Sequence, residues 1–82
     1  MFEEIKSVIT KTLGLEESEI TLESRLAEDL GIDSMDIVEL IFGLERQLKI
    51  KIKSSEADKF VIVKDIVDFA EANVRDEQEL LH

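Results

Sequence analysis

The first apolar residues of the chain recur at intervals of three or four, at Phe2, Ile5, Val8, Ile9 and Leu13. This spacing predicts an amphipathic helix over residues 2–13, with one face turned to a core. Gly14 follows, and glycine readily takes the left-handed conformation that ends many helices. We therefore expect the first helix to end at this glycine.

Residues 15–33 have no sustained hydrophobic period. Their apolar side chains are dispersed among acidic residues, at Ile20, Leu22, Leu26 and Leu30. This pattern predicts a long loop with apolar anchors. Long loops in compact domains are commonly functional.

A second amphipathic helix is predicted to begin near Ser34 and to end at about Lys49. Its broad apolar face contains Ile37, Leu40, Ile41, Leu44 and Leu48. A second, narrower stripe with the spacing i, i+3, i+7 contains Met35, Val38 and Phe42. Because a core needs only one face, this stripe either packs under the loop or faces a partner. We expect Met35 to face a partner, and Val38 and Phe42 to be partly buried.

Residues 49–53 alternate lysine with isoleucine, and this period of two is typical of a strand. A lone strand would have nothing to pair with in this chain. We therefore expect an extended connector that Ile50 and Ile52 anchor to the core.

Two more helices are expected after the connector. Ser54 or Ser55 is predicted to cap a short helix that ends at about Phe60. Helix propensity does not decide the conformation of the apolar run over residues 60–63. A final helix is predicted to start at about Lys64.

The composition favours a small helical domain. The chain has 82 residues, of which 44% are hydrophobic, with no proline and three glycines. We therefore expect a single domain over residues 1–82 with a small core. Its acidic tail, residues 76–82, is expected to fray.

The net charge of -10 at pH 7 disfavours nucleic acids and anionic membranes as partners and favours basic protein surfaces. The charge is uneven along the chain. It is -9 over residues 16–45, +4 over residues 46–64 and -5 over residues 65–82. Each charged block has a simpler interpretation as solvated surface, although the acidic block surrounds Ser34.

Several classes of site and location are excluded by the sequence. There is no cysteine, and so no disulfide or thiolate metal site. No EF-hand, phosphate-binding or zinc spacing occurs, and we expect no metal centre. Without a long apolar run or signal-peptide pattern, we expect a cytoplasmic protein with no membrane span.

Ser34 is typical of a helix cap, but its setting also suggests a chemical role. A nucleophilic serine needs a general base, and the single histidine is His82, at the very end of the chain. Asp33 and Asp36 would disfavour an alkoxide by repulsion. We therefore expect no catalysis by this chain, and we expect Ser34 to be a substrate that another enzyme modifies.

Residues 30–40, LGIDSMDIVEL, resemble the prosthetic-group attachment motif of acyl carrier proteins. Residues 28–31, Glu45 and residues 56–59 fit the same resemblance. It implies an all-α four-helix bundle with three main helices, one short helix and a long first loop. It also implies that 4′-phosphopantetheine is esterified to Ser34 and carries acyl groups as thioesters. A separate, magnesium-dependent phosphopantetheinyl transferase (holo-carrier synthase) would attach this arm.

The resemblance also implies partners and a shelter for the acyl chain. Carboxylates would meet basic docking patches on the transferase and on acyl-processing enzymes, at Asp33, Asp36 and Glu39. Apolar contacts would come from the stripe Met35, Val38 and Phe42. The family often shelters its acyl chain between the second and third helices, where the candidates are Leu44, Ile52, Phe60 and Ile62. Burial in the core is the simpler explanation for these four. We expect a monomer.

Three functions are compatible with this sequence. The first is a carrier for fatty acid biosynthesis, and the second is a carrier for polyketide, lipid-modification or aminoacyl transfer. The third is a helical interaction module in which Ser34 is only a cap. Cations occupy a stretch that is often acidic in fatty-acid carriers, at Arg46, Lys49, Lys51 and Lys53. Gly43, in the middle of a helix, has no role that the sequence assigns.

Overall fold

The computed structural model describes the backbone of residues 1–81 and the side chains of residues 1–73. Within this part, the helices are α1 (Phe2–Leu13), α2 (Ser34–Leu48), α3 (Ser54–Ala57) and α4 (Val63–Leu81), with a 3-10 turn at Glu17–Glu19. The predicted all-α class is confirmed. None of the described helices is long and apolar enough to cross a membrane. The predicted fraying of residues 76–82 falls outside the described side chains.

Helix α1 has the predicted bounds. Its core-facing residues Ile5, Val8 and Ile9 are buried. Gly14 ends it in the left-handed conformation, with φ of 73°, and donates its N–H to the Thr10 carbonyl at 2.9 Å. The local periodicity was sufficient to place this helix because both its face and its end are encoded within it.

Helix α2 packs closely against α1. Leu40 and Leu44 are fully buried. A Cβ added at Gly43 would lie 3.0 Å from Thr12 Oγ1 and 3.2 Å from Val8 Cγ1. The helices approach each other at this glycine because it has no side chain. Gly43 is therefore half-buried and faces α1.

The connector after α2 has no regular secondary structure over residues 50–53, and Lys53 at its end is extended. The prediction was wrong for Lys49, which ends α2 in the left-handed conformation with φ of 57°. As predicted, Ile50 and Ile52 are buried, and the alternating lysines are exposed. Glu45 Oε2 accepts the Ile52 N–H at 2.8 Å, so a side chain of α2 holds the connector.

The short helix α3 differs from its predicted bounds. It ends at Ala57 instead of Phe60, because the hydrogen bonds that follow join residues three apart and not four. The Phe60 N–H donates to the Ala57 carbonyl at 3.1 Å. Its N-cap is Lys53, and neither Ser54 nor Ser55 occupies that position. The prediction of a serine cap was therefore wrong.

The run over residues 60–63 pairs with the long loop. The Leu26 N–H donates to the Val61 carbonyl at 2.9 Å, and the Val63 N–H donates to the Ser24 carbonyl at 3.0 Å. These bonds flank an isolated antiparallel bridge between Arg25 and Ile62. The loop that leads to Ser34 is therefore tied to the segment that leads into α4.

Candidate functional site

Ser34 is the first residue of α2, and Asp33 is its N-cap. Asp33 Oδ1 accepts the Asp36 N–H at 2.8 Å, and Asp36 Oδ2 accepts the Asp33 N–H at 3.2 Å. This reciprocal arrangement is a capping box, which satisfies two backbone donors at the helix start. The interpretation of Ser34 as the cap was therefore wrong. Since its neighbour does the capping, the exposed Ser34 side chain is not required for that role.

The loop before Ser34 is anchored on both sides of Gly31. Leu30 and Ile32 are buried in the core. Gly31 has a φ of 67°, in the left-handed region that glycine adopts without strain. The Gly31 N–H donates to the Ala27 carbonyl at 3.1 Å. The backbone therefore turns sharply into α2 from a fixed position.

Exposed ion pairs stabilise the turn over residues 25–29, which precedes Gly31. Asp29 Oδ2 accepts the Arg25 N–H at 2.8 Å and lies 3.4 Å from Arg25 Nε, while Arg25 also pairs with Glu28. The hydrogen bond from the Arg25 backbone, helped by the guanidinium, lowers the pKa of Asp29. The hydrogen bond to Asp29 in turn raises the pKa of Arg25.

The start of α2 has backbone donors available for an anion. The N–H groups of Ser34 and Met35 have no acceptor among residues 1–73. Free N–H groups and the helix dipole favour negative charge at this end. The local backbone is therefore compatible with a phosphodiester on Ser34 Oγ, the linkage that the resemblance implies.

The predicted docking residues lie together on the surface of α2. Asp33 and Glu39 are exposed and Asp36 is half-buried. The basic side chains closest along the chain are Arg25 and Arg46, so the sequence around Ser34 is strongly acidic. This arrangement attracts basic surfaces.

The apolar stripe beside these acids is exposed. Met35 is 74% exposed, Val38 52% and Phe42 60%. The expectation for Met35 agrees with this, but the predicted partial burial of Val38 and Phe42 was wrong. Val38 and Phe42 also line a groove between α2 and α3, and Met35 faces solvent next to Ser34.

A groove of about 500 Å³ runs between α2 and α3 and includes Ser34 in its lining. Two of the predicted acyl-pocket residues, Ile52 and Phe60, line it. Leu44 is fully buried in the core and does not line the groove. Ile62 is half-buried and also lies outside its lining.

Sequence reasoning missed five apolar residues of the groove lining: Ala57, the stripe residues Val38 and Phe42, and two isoleucines of α2. The two isoleucines are Ile37 and Ile41. Both were assigned to the broad core face of α2, yet both are only half-buried. Their signal was positional, because each lies at the edge of that face next to the exposed stripe. These isoleucines and Phe60 give the groove its apolar wall.

Two common components of catalytic sites, a histidine base and a metal site, are absent from the described residues. Among residues 1–73 there is no histidine that could act as a base for Ser34. The same part of the chain contains no group of three or more potential metal ligands. The arrangement can present a hydroxyl and dock a basic protein surface.

Comparisons with known proteins show which family this chain resembles. Residues 3–70 match the family described as "Phosphopantetheine attachment site". Over 72 residues the chain is 44% identical to an acyl carrier protein of Helicobacter hepaticus, covering 88% of this chain and 95% of that protein. It is 45% identical over 69 residues to an acyl carrier protein of Clostridium perfringens, covering 84% and 91%. An acyl carrier protein of Campylobacter concisus is 39% identical over 71 residues, covering 87% and 92%.

Proposed function

Because this chain belongs to the acyl carrier protein family, we propose that Ser34 is the residue that carries its 4′-phosphopantetheine arm. The chain is an acyl carrier of fatty acid synthesis, and its cofactor is this covalently attached arm. The observation that carries the assignment to Ser34 is its exposed position at the start of α2, at the groove and beside two N–H groups that have no acceptor among residues 1–73.

The residues around Ser34 support a division of labour with the transferase. Asp33 and Asp36 fix the helix start, so the backbone that presents the Ser34 hydroxyl has a defined position. The described residues include no histidine, and we propose that the general base comes from the transferase. The N–H groups of Ser34 and Met35 then stabilise the negative charge of the phosphodiester. When bound, the arm supplies a thiol that carries the acyl group.

We further propose that the groove between α2 and α3 shelters the acyl chain. Ser34 lies in its lining, so an arm on Oγ starts at the groove itself. Ile37, Ile41, Ile52 and Phe60 provide apolar surface there. Removing an acyl chain from water onto such surface is favourable by about 25 cal/mol per Å² of apolar area.

The family implies contacts with phosphopantetheinyl transferase and with acyl-processing enzymes. For this chain, we propose that these proteins dock on Asp33, Asp36 and Glu39 through basic patches. Met35, Val38 and Phe42 supply the apolar part of the contact, because all three are exposed on the same helix. Such mixed surfaces give fast association with modest affinity, as a carrier that visits many enzymes requires.

Acyl carrier proteins are carriers and not catalysts. The proposal for this chain is accordingly a monomeric, non-enzymatic, single-domain carrier with a cytoplasmic location.

The assignment is tested by incubating the purified chain with coenzyme A, magnesium and an active phosphopantetheinyl transferase. The intact mass of the wild-type chain should rise by one phosphopantetheinyl group. The variant Ser34→Ala should show no gain, because no hydroxyl remains at the start of α2.

Ser54→Ala is the matched control. Ser54 also lies in the groove lining and is also the first residue of a helix, but outside the motif. This variant should gain the same mass as wild type. A mass gain by Ser34→Ala, or none by the wild type with several active transferases, would contradict the proposal.

A further inference from the structure

Four exposed cations lie just beyond the proposed docking surface. They are Arg46 in the last turn of α2 and Lys49, Lys51 and Lys53 along the connector. Lys51 and Lys53 are exposed and alternate with the buried Ile50 and Ile52, and Lys49 is exposed at the left-handed end of α2. We call these four residues the cationic patch.

The acids closest to this patch along the chain accept hydrogen bonds from backbone N–H groups. Glu45 Oε2 accepts the Ile52 N–H at 2.8 Å, and Glu56 Oε1 accepts the Lys53 N–H at 3.3 Å. Both carboxylates therefore hold the backbone at the patch. Their negative charge reduces the local potential without forming an ion pair with a patch side chain.

The patch differs in this respect from Lys6, Arg25 and Lys64, whereas Lys11 and Lys59 also form no ion pair within residues 1–73. Arg25 and Lys64 each form ion pairs with carboxylates of their own helix or turn. Within residues 1–73, no carboxylate lies at ion-pair distance from any member of the patch. Four like charges without internal partners are available to an external anionic surface.

The patch is continuous with the acidic end of α2. Phe42 is one helical turn before Arg46, and both are exposed on the same side. Arg46 follows Ser34 by twelve residues, which is about 18 Å along the helix axis. One surface therefore runs from acids, through exposed apolar side chains, to cations.

We propose that this carrier recognises proteins with a two-signed docking surface. The partner would have a basic patch at its active-site entrance and an acidic patch about 18 Å away, opposite Arg46 and the lysines. The inference rests on the proposed attachment at Ser34, which sets the acidic end against the entrance. The inference adds a requirement for the partner, because the partner needs an acidic patch in addition to the basic patch.

Two other occupants fit the charges less well. An anionic membrane that approached the patch would be repelled by Asp33, Asp36 and Glu39 on the same helix. A second copy of the chain would bring together two molecules of net charge -10. A protein with both signs of charge matches both ends at once.

The patch is tested first with peptide probes on the 15N-labelled full chain at low ionic strength. Hexaglutamate should shift the backbone amide signals of residues 46–53, and hexalysine those of residues 33–39. The variant Arg46→Glu/Lys51→Glu should lose the first response and keep the second. The control Lys11→Glu/Lys59→Glu has the same net charge of -14, two reversals below the native -10, and should keep both responses.

Some outcomes of this titration would overturn the inference. They are no response to hexaglutamate, an equal loss in the control variant, a response of residues 46–53 to anionic phospholipid vesicles alone, or concentration-dependent shifts of these residues without any probe. In the same order, these outcomes would indicate that the charges of the patch are screened, that the effect depends on net charge alone, that the patch binds a membrane, or that it binds a second copy of the chain.

A second experiment compares both variants as substrates of acyl-processing enzymes. These are enzymes of fatty acid synthesis from the cell in which this chain occurs. Arg46→Glu/Lys51→Glu should lower kcat/KM about tenfold with at least one of them, through KM, while the control stays within about twofold. Unchanged kcat/KM with all of them would overturn the inference. The mass gain at Ser34 is measured separately for the wild type and for each variant. No mass gain in the wild type would contradict the proposed attachment at Ser34, whereas the kcat/KM values test the cationic patch.

Discussion

Glu45 Oε2 accepts the backbone N–H of Ile52 at 2.8 Å, and this bond joins α2 to the connector across seven residues. Ile52 is buried and lines the groove, and Glu45 lines it as well. One carboxylate therefore holds the wall of the proposed acyl shelter while lying next to the cationic patch.

Glu45→Ala should destabilise the protein by about 1–3 kcal/mol, because it leaves a part-buried N–H without its charged acceptor. Glu45→Gln keeps an oxygen acceptor and should lose less. Urea unfolding followed by circular dichroism measures both. Equal stability of Glu45→Ala and wild type would contradict a structural role for this bond.

Asp33→Ala should destabilise the protein by about 1 kcal/mol, because the start of α2 loses its cap. Asp33→Ser should restore most of that loss, since serine is also a good cap. Hydrogen exchange at the Asp36 amide measures the local effect and should accelerate in Asp33→Ala alone. Unchanged exchange there would mean that the capping box does not hold this end of the helix.

Gly43→Ala should destabilise the protein by about 1 kcal/mol. The gain in helix propensity, roughly 0.5–1 kcal/mol, is smaller than the overpacking that a Cβ 3.0 Å from Thr12 Oγ1 would cause. Adding Thr12→Ala should recover part of the loss by removing the closest atom. A thermal melt of the three variants decides the sign, and a stabilised Gly43→Ala would contradict the close approach of α1.

The ionised Asp29 should stabilise the fold above pH 4, and that contribution should disappear as the pH falls. Its pKa is lowered in the folded protein, so the unfolded chain binds a proton more readily and protonation favours unfolding. The difference in stability between wild type and Asp29→Asn should therefore shrink in acid. A difference that is the same at neutral and strongly acidic pH would contradict this origin.

The helices and the site differed in how far the sequence determined them. Helix α1 and the buried centre of the α2 core face, Leu40 and Leu44, could be predicted because their period is local. Ser34 and Asp33 are both good caps, and the choice depends on the third helical residue. Only a cap at Asp33 places Asp36 where it can complete a capping box, whereas a cap at Ser34 would place Ile37 there.

Non-local features could not be predicted in this way. The exposure of Val38 and Phe42 depends on which elements cover α2, and hydrophobicity alone does not reveal that. The pairing of Leu26 with Val61 joins segments that are far apart in the chain. Its signal lies in tertiary packing, which overrides the weak local propensity of residues 60–63.

The central claim is that Ser34 Oγ carries the phosphopantetheine arm, and peptide mass spectrometry of the transferase-treated chain tests it most directly. Fragmentation of the peptide that contains residues 30–40 should place the added group on Ser34, with every other serine and threonine unmodified. An added group on any other residue, or none on Ser34 when the transferase modifies a known carrier in the same reaction, would contradict the account.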